Sequence, residues 1–206
     1  TSRAMVIITG PIDDAERNFL NDPSIVSIQK FHSNNELAAN LDRAIEQTDC
    51  DVVCLISSDI KSLPECWLFD LVSFLEVNEI GAVGGKLVND ANRIIDGPLY
   101  IDMIDGVQVA NNGLENDFHG NMLRNKVVGN YSTVSLSLMA VRVSDVMEVG
   151  GFNQADVGDA LMDADLCLRL GKLNKRVVSV PFVEGSVANG HRRKRPTSAE
   201  LEAFKA

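Results

Sequence analysis

Long apolar runs are missing from this chain: the best, Val52–Ile56, is five residues, far short of the ~18–20 that a membrane helix needs. The first residues show no charged-then-apolar pattern of a secretory signal. Basic charge is also scarce. Nineteen Lys and Arg stand against 29 Asp and Glu, a net of −10, which argues against nucleic-acid binding through a broad basic surface. The four cysteines (Cys50, Cys54, Cys66, Cys167) form no C-x-x-C pair and no zinc spacing. They read as reduced thiols of a cytosolic protein, two or three of them small core residues. Internal repeats and low-complexity stretches are absent too. What remains is ordinary globular composition, 45% apolar and 23% charged over 206 residues, enough to bury a core without disulfide or metal. Residue 1 is Thr and the chain stops at Ala206 inside a helical pattern, so both ends read as cut from something longer.

The apolar segments alternate between strand and helix periods. Met5–Ile8 and Ile25–Ile28 read as strands, and Ser33-x-x-Glu36 is a capping box ahead of Leu37, Leu41, Ala44 and Ile45 at helical spacing. Asp51–Ile56 resembles a strand covered on both faces. Ser62-x-x-Glu65 is expected to cap the next helix, with Pro64 in its first turn and Trp67, Leu68, Leu71, Val72 and Leu75 inside. Ile80–Val88 reads as a strand whose Gly81, Gly84 and Gly85 allow close approach of other strands. This order implies βαβ units and a mostly parallel sheet. Eight of residues 89–130 are Asn, and Asn111–Asn125 reads as a long loop. Beyond it, strands are expected at Tyr131–Val143, Val149–Asn153 and Arg176–Val180. A short helix is expected from about Ala160 to Leu170, ended by Gly171. His191–Arg195 is a basic run, and Thr197-x-x-Glu200 opens a last helix.

Open parallel sheets bind ligands beyond the carboxyl ends of their strands. The strand Asp51–Ile56 runs into Ser57-Ser58-Asp59, which puts Asp59 at such an end. A carboxylate there can hold a divalent cation that clamps a diphosphate, or it can be a turn cap. Asp163 and Asp165 stand two apart and do not share a helix face. Asp165 is expected to pair with Arg169, leaving Asp163 either as a general base open to a cleft or as an ordinary first-turn acid. Gly81–Lys86 does not match a phosphate-binding loop: position 80 is Ile, and Leu87 follows the lysine where a hydroxyl is required. No nucleophile elbow is present.

Four segments, in order, resemble the family 2 glycosyltransferases of the GT-A fold. CDVVCLISSD (50–59) is similar to the strand ending in the family's metal-binding D-x-D. IGAVGGKL (80–87) with Gly97 is similar to the strand and turn that follow. LMAVRVSDVMEVGGFN (138–153) is similar to the segment with the acceptor-side Gly-Gly-Phe turn, and DADLCLRL (163–170) to the stretch holding the catalytic base. His191 falls where a late metal-ligand His often occurs. The resemblance implies an α/β fold: a mostly parallel GT-A sheet flanked by helices, with a smaller mixed or antiparallel acceptor-side portion. It implies a single domain over 1–191 lacking the family's N-terminal strand and helix, then a basic loop and helix over 192–206.

The implied activity is transfer of a sugar from a nucleotide-diphosphate sugar to a hydroxyl of a glycan, polysaccharide or lipid-linked acceptor, with inversion. Mn²⁺ or Mg²⁺ would sit on Asp59 and His191. Ser57, Ser58, Asp59, Arg192 and Arg193 would contact the donor, Gly150, Gly151 and Phe152 the acceptor side, and Asp163 would be the base. A cytoplasmic location follows, at the face of a membrane if the parent protein makes a peripheral contact. The pattern departs from the family's in three places. The first carboxylate of D-x-D is Ser57, Met162 stands where an acid often precedes the base, and Thr9 replaces an acid in Ile8–Asp14. A second reading is therefore a GT-A module without catalysis, kept for carbohydrate binding or assembly. A third, a sugar-phosphate nucleotidyltransferase, lacks its expected Gly-rich basic loop. The basic run 191–195 reads either as a solvated surface loop or as a mobile flap that closes over the donor diphosphate or contacts an anionic acceptor, poorly ordered or lying outward without ligand because its charges repel one another.

Overall fold

The computed structural model describes residues 3–10, 18–31, 36–102, 104, 106–152, 154–187 and 191–205. Along the chain the elements are β1 (Ala4–Thr9), β2 (Ile25–Phe31), α1 (Leu37–Glu46), β3 (Val52–Ser57), β4 (Ile60–Ser62), α2 (Trp67–Leu75), β5 (Ile80–Val88), β6 (Ile94–Asp96), β7 (Pro98–Asp102), β8 (Gly106–Val109), β9 (Gly129–Tyr131), β10 (Thr133–Val134), β11 (Leu138–Arg142), α3 (Val143–Glu148), α4 (Gln154–Lys172), β12 (Arg176–Val187) and α5 (Ser198–Lys205). The large sheet has the order β2-β1-β3-β11-β5-β12-β4. Strands β2, β1 and β3 are parallel, as are β5 and β12; β11 lies antiparallel between β3 and β5, and β4 closes the far edge antiparallel. Strands β10, β7 and β8 make a small antiparallel sheet.

Strand parity divides the core. Met5 and Ile7 of β1, Val53 and Leu55 of β3, and Met139 and Val141 of β11 face α1 and α4, where Leu37, Leu41, Ile45, Leu166 and Leu170 meet them. The alternate residues Val6, Ile8, Cys54, Ile56, Leu138 and Ala140 face α2, on Trp67, Leu68, Leu71 and Leu75. Successive side chains in a strand point to opposite faces, so an unbroken apolar run is what a strand covered on both sides requires. All six residues of β3 and all nine of β5 are buried. The β5 glycines do allow close approach. A Cβ at Gly84 would lie 2.5 Å from the Cβ of Val134, and one at Gly85 would lie 2.5 Å from the Val183 carbonyl.

Several local expectations give way to tertiary pairing. Ser62 is no helix cap: it ends β4 beside Ser186 of β12, with the two hydroxyls 2.5 Å apart, and α2 begins at Trp67 with no side-chain cap. In place of the expected strand at 149–153, Val149 caps α3 and Gly150 and Gly151 turn with φ of +85° and +79°; Asn153 lies outside the described residues. The expected strand 131–143 splits into β9, β10 and β11 because Ser135–Ser137 turn out of the sheet, with Leu138 N–H on the Ser135 carbonyl at 3.2 Å. Helix α4 starts at Gln154, breaks at Gly158 (φ 64°, ψ 179°) and runs through Gly171; its stop is the left-handed Asn174 (φ 60°). The 111–125 loop contains a short 3₁₀ turn at Asn121–Leu123 and an isolated bridge from Glu115 to Arg93, and is held by asparagine side chains. The Asn125 amide donates to the carbonyls of Asn116 (2.9 Å) and Phe118 (2.7 Å). The buried Lys86 ammonium donates to Asn116 Oδ1 at 2.5 Å and pairs with Glu184 at 3.2 Å. Ser33 of the first capping box and Pro11–Asp14 lie outside the described residues. No helix among the described residues is long and apolar enough to cross a membrane. All four cysteines are free, and Cys66 alone is exposed.

Candidate active site

At the carboxyl end of β3 the chain leaves the sheet through Ser57-Ser58-Asp59. Ser57 N–H donates to the Ser137 carbonyl (2.8 Å) and Ser58 N–H to the Thr9 carbonyl (2.9 Å), which ties this turn to β1 and to the Ser135–Ser137 segment. Asp59 N–H donates to Ser57 Oγ at 3.2 Å, so the Ser57 hydroxyl shapes the turn that presents Asp59. Gly10 has φ of +131°, and a Cβ there would overlap the Ser58 hydroxyl. Only glycine fits that crossing.

His191, 132 residues further on, lies against Asp59: Nδ1 is 2.9 Å from Asp59 Oδ2. Its other ring nitrogen, Nε2, is 3.4 Å from Asp96 Oδ2. Asp96 ends β6 and is fully buried. Ser135 Oγ (2.8 Å) and Ser137 Oγ (2.7 Å) donate to its Oδ2, and Gly97 N–H donates to Oδ1 at 2.8 Å. Burial pushes the Asp96 carboxyl upward, but the His191 hydrogen bond, the Arg193 charge and the Ser137 hydroxyl together hold it below the ordinary carboxylate value. Burial likewise works against a charged His191, yet its hydrogen bonds to Asp96 and Asp59 and their charges raise it above the ordinary imidazole value.

Asp163 borders a cavity, but its carboxylate is occupied by Arg193. It is 2% exposed, and Arg193 grips it with both ends of its fork, NH1 to Oδ2 at 2.5 Å and NH2 to Oδ1 at 2.6 Å. Arg193 also donates to the Ala160 carbonyl at 2.7 Å. Leu136 N–H (3.3 Å) and Ala164 N–H (2.8 Å) supply two more donors to the same carboxylate. The cause is the strap 191–195, which does not lie outward as a flap. His191 and Arg193 turn into the protein, and Lys194 pairs with Asp159 at 2.5 Å. Facing carboxylates cancel the self-repulsion that would drive such a run outward. Asp165 pairs with Arg169 at 2.6 Å, as its spacing indicates.

The Gly150-Gly151-Phe152 turn stands elsewhere and lines neither cavity beside His191. Phe152 N–H donates to Asp42 Oδ1 at 2.8 Å, and Arg169 donates to the carbonyls of Val149 (2.8 Å) and Gly151 (2.7 Å). Its visible work is to end α3. Two cavities flank the strap. The smaller, about 220 Å³, is lined by Thr9, Gly10, Ser57, Asp59, Asp163 and His191 among others. The larger, about 990 Å³, lies on the other side, toward β8.

The sequence matches no established family profile. The uncharacterized protein y4gI of Sinorhizobium fredii (strain NBRC 101917 / NGR234) is 28% identical over 153 residues, covering 72% of this chain and 17% of that protein. GalNAc-T7, solved with UDP, GalNAc and Mn²⁺, superposes with a TM-score of 0.65 at 9% identity over 99% of this chain and 48% of its own. The mannosyltransferase PcManGT of Pyrobaculum calidifontis, solved with GDP-Man and Mn²⁺, gives 0.56 at 13% identity over 90% of this chain and 56% of its own. The fold is GT-A-like. The chain thus spans 17% of its curated relative and 48% and 56% of these two glycosyltransferases.

Within this GT-A-like fold the residues can be tested for a divalent cation. No group of three or more His, Cys, Asp or Glu side chains converges on one point among the described residues. Asp59 and His191 are two adjacent donors, and Asp96 takes the far ring nitrogen of His191. With Asp96 behind Nε2, the usual support of a metal-binding imidazole, Nδ1 is the nitrogen turned toward Asp59, and as a ligand it would give up its proton and its 2.9 Å hydrogen bond to Asp59 Oδ2. Two protein ligands suffice for Mg²⁺ or Mn²⁺, which bind through few side chains and complete their shell with substrate phosphate and water. The residues fit such an ion. Sequence reasoning singled out Asp59 and His191 but missed Asp96, Ser135 and Ser137; Asp96-Gly97, an acid before a turn glycine, was the available signal.

Proposed function

We propose that this chain is the nucleotide-sugar-binding domain of a glycosyltransferase, with its donor at the carboxyl ends of β1 and β3. The supporting observation is the Asp96–His191–Asp59 relay, in which Asp59 and His191 line the smaller cavity and Asp96 is buried behind the imidazole. A structural pair needs no second, fully buried carboxylate aligning the imidazole. In this reading Asp59 and His191 would hold Mn²⁺ or Mg²⁺, whose charge would stabilise the diphosphate leaving group. Ser57 and Ser58 line the donor side. Asp163 accepts the proton of an acceptor hydroxyl as that oxygen bonds to the anomeric carbon and the bond from that carbon to phosphate breaks, inverting the centre. The acceptor is a glycan or lipid-linked saccharide, and the motif pattern resembles family 2.

For this chemistry Arg193 must release Asp163. The same contact favours a second reading, a GT-A-like module without catalysis, in which the Arg193–Asp163 pair is a permanent brace. The experiment is hydrolysis and transfer of UDP- and GDP-sugars by the full-length protein, with and without Mn²⁺, in native and Asp163→Asn forms. The enzyme reading expects Mn²⁺-dependent turnover that falls by about 10²–10⁴ in Asp163→Asn. Donor binding without turnover in either form supports the module. Absence of both donor and Mn²⁺ binding overturns the first proposal.

A further inference from the structure

The strap 191–195 has two sides. Its inward residues are paired: His191 with Asp59 and Asp96, Arg193 with Asp163, and Lys194 with Asp159. Arg192 and Arg195 are exposed and have no ion-pair partner among the described residues. Both line the larger cavity of about 990 Å³, and Arg192 also reaches the smaller one. The described residues around that cavity include the four cations 192–195 and no Asp or Glu. This is unexpected in a chain with 29 acids and 19 fixed cations. Surface charge drawn at random from this composition would be mostly negative, so the acids are excluded from this cavity. The remaining polar lining is His191 and three amides, Asn89, Gln108 and Asn112. Amides both donate and accept, which matches sugar hydroxyls, and β8 supplies Val107 and Val109 as an apolar wall for a ring face. The volume lies at the upper end of the roughly 300–1,000 Å³ of small-molecule sites.

The geometry points to a subsite for an anionic saccharide, one carrying carboxylate or phosphate groups, with Arg192 and Arg195 as its forks and the three amides on its hydroxyls. Arginine suits this because its planar donors meet a carboxylate or phosphate edge-on in pairs. Occupation of this subsite by a sugar acceptor rests on the glycosyltransferase reading; the anion subsite itself does not. Donor diphosphate is the less fitting occupant, because Thr9, Ser57 and Asp59 line only the smaller cavity across the strap.

The test is isothermal titration of the protein with an oligogalacturonate, with a sugar monophosphate, and with a neutral oligosaccharide of matching length. The native chain should bind one of the two anionic probes at least ~10-fold tighter than the neutral one, with affinity falling as salt rises. Which anionic probe binds identifies the group. The Arg192→Gln, Arg195→Gln double variant should lose at least ~10-fold for that probe while its melting temperature stays put, since neither side chain holds the fold. Binding of UDP or GDP with Mn²⁺ to Arg195→Gln should remain at the native level. Equal affinity for neutral and anionic probes, or a double variant that binds like the native chain, overturns the subsite. Loss of nucleotide binding in Arg195→Gln also overturns it, by making the arginine a donor clamp. Saccharide binding without any nucleotide binding would leave the subsite standing and remove only the glycosyltransferase reading.

Discussion

Replacing Arg193 with Met keeps most of its alkyl volume and leaves Asp163 as a buried carboxylate with no cation. Breaking a buried ion pair by removing one partner costs about 3–5 kcal/mol. Asp163 keeps the Leu136 and Ala164 amides, so the low end, about 3 kcal/mol, is expected. For a domain of this size each kcal/mol moves the melting temperature by roughly 2–4 °C, so Arg193→Met should melt about 6–12 °C lower. Asp163→Asn should cost less, about 1–3 kcal/mol, because Arg193 keeps the Ala160 carbonyl and stays 16% exposed to water. The double variant should be less destabilised than the two singles combined, by about 1–3 kcal/mol of coupling. Urea unfolding of all four proteins measures this, with a constant m value as the control that the denatured state has not changed. If the two changes add within about 0.5 kcal/mol, or Arg193→Met melts with the native protein, then the Arg193–Asp163 contact does not hold the strap and the argument is wrong.

Mn²⁺ affinity, read by titration without substrate, should fall about 10–100-fold in Asp96→Asn, because the imidazole loses its orienting carboxylate; native affinity in that variant refutes the relay. Asp165→Asn should leave Mn²⁺ binding intact while lowering the melting temperature through its pair with Arg169, which also braces the turn ending α3. In EDTA the metal-free protein should lose stability as pH rises from the ordinary imidazole value of 6.5 through the raised value of His191. The folded state then binds more protons than the unfolded state, so the contribution is complete below that window and gone above it. His191→Gln should flatten this slope, and an unchanged slope assigns the effect to another group. Gly84→Ala should cost about 1–3 kcal/mol by driving a methyl against Val134, with urea midpoints as the check and native stability as the refuting result.

The strand runs and the α1 and α2 stripes were legible in the sequence because burial writes itself locally. The unbroken apolar runs of β1 and β3, and the spacing of Leu37, Leu41, Ala44 and Ile45, each need only near neighbours to be read. The i,i+4 pair of Asp165 with Arg169 and the exit of β3 into Asp59 were legible for the same reason. Elements whose form depends on a distant partner were not. Ser62 became a strand residue because β12 runs beside it, and 131–143 broke into three strands because Ser135 and Ser137 bend away to donate to Asp96. The site divides the same way. The family-like pattern put Asp59 and His191 together, but nothing local to Asp96 says that its carboxylate meets a histidine 95 residues away. Nor does a run of like charges reveal which of them will face carboxylates. Arg193 and Arg195 are the same residue type two positions apart, and one braces Asp163 while the other faces an open cavity. Long-range packing decides that difference, because a charge is settled by what surrounds it in space and not by its neighbours in the chain.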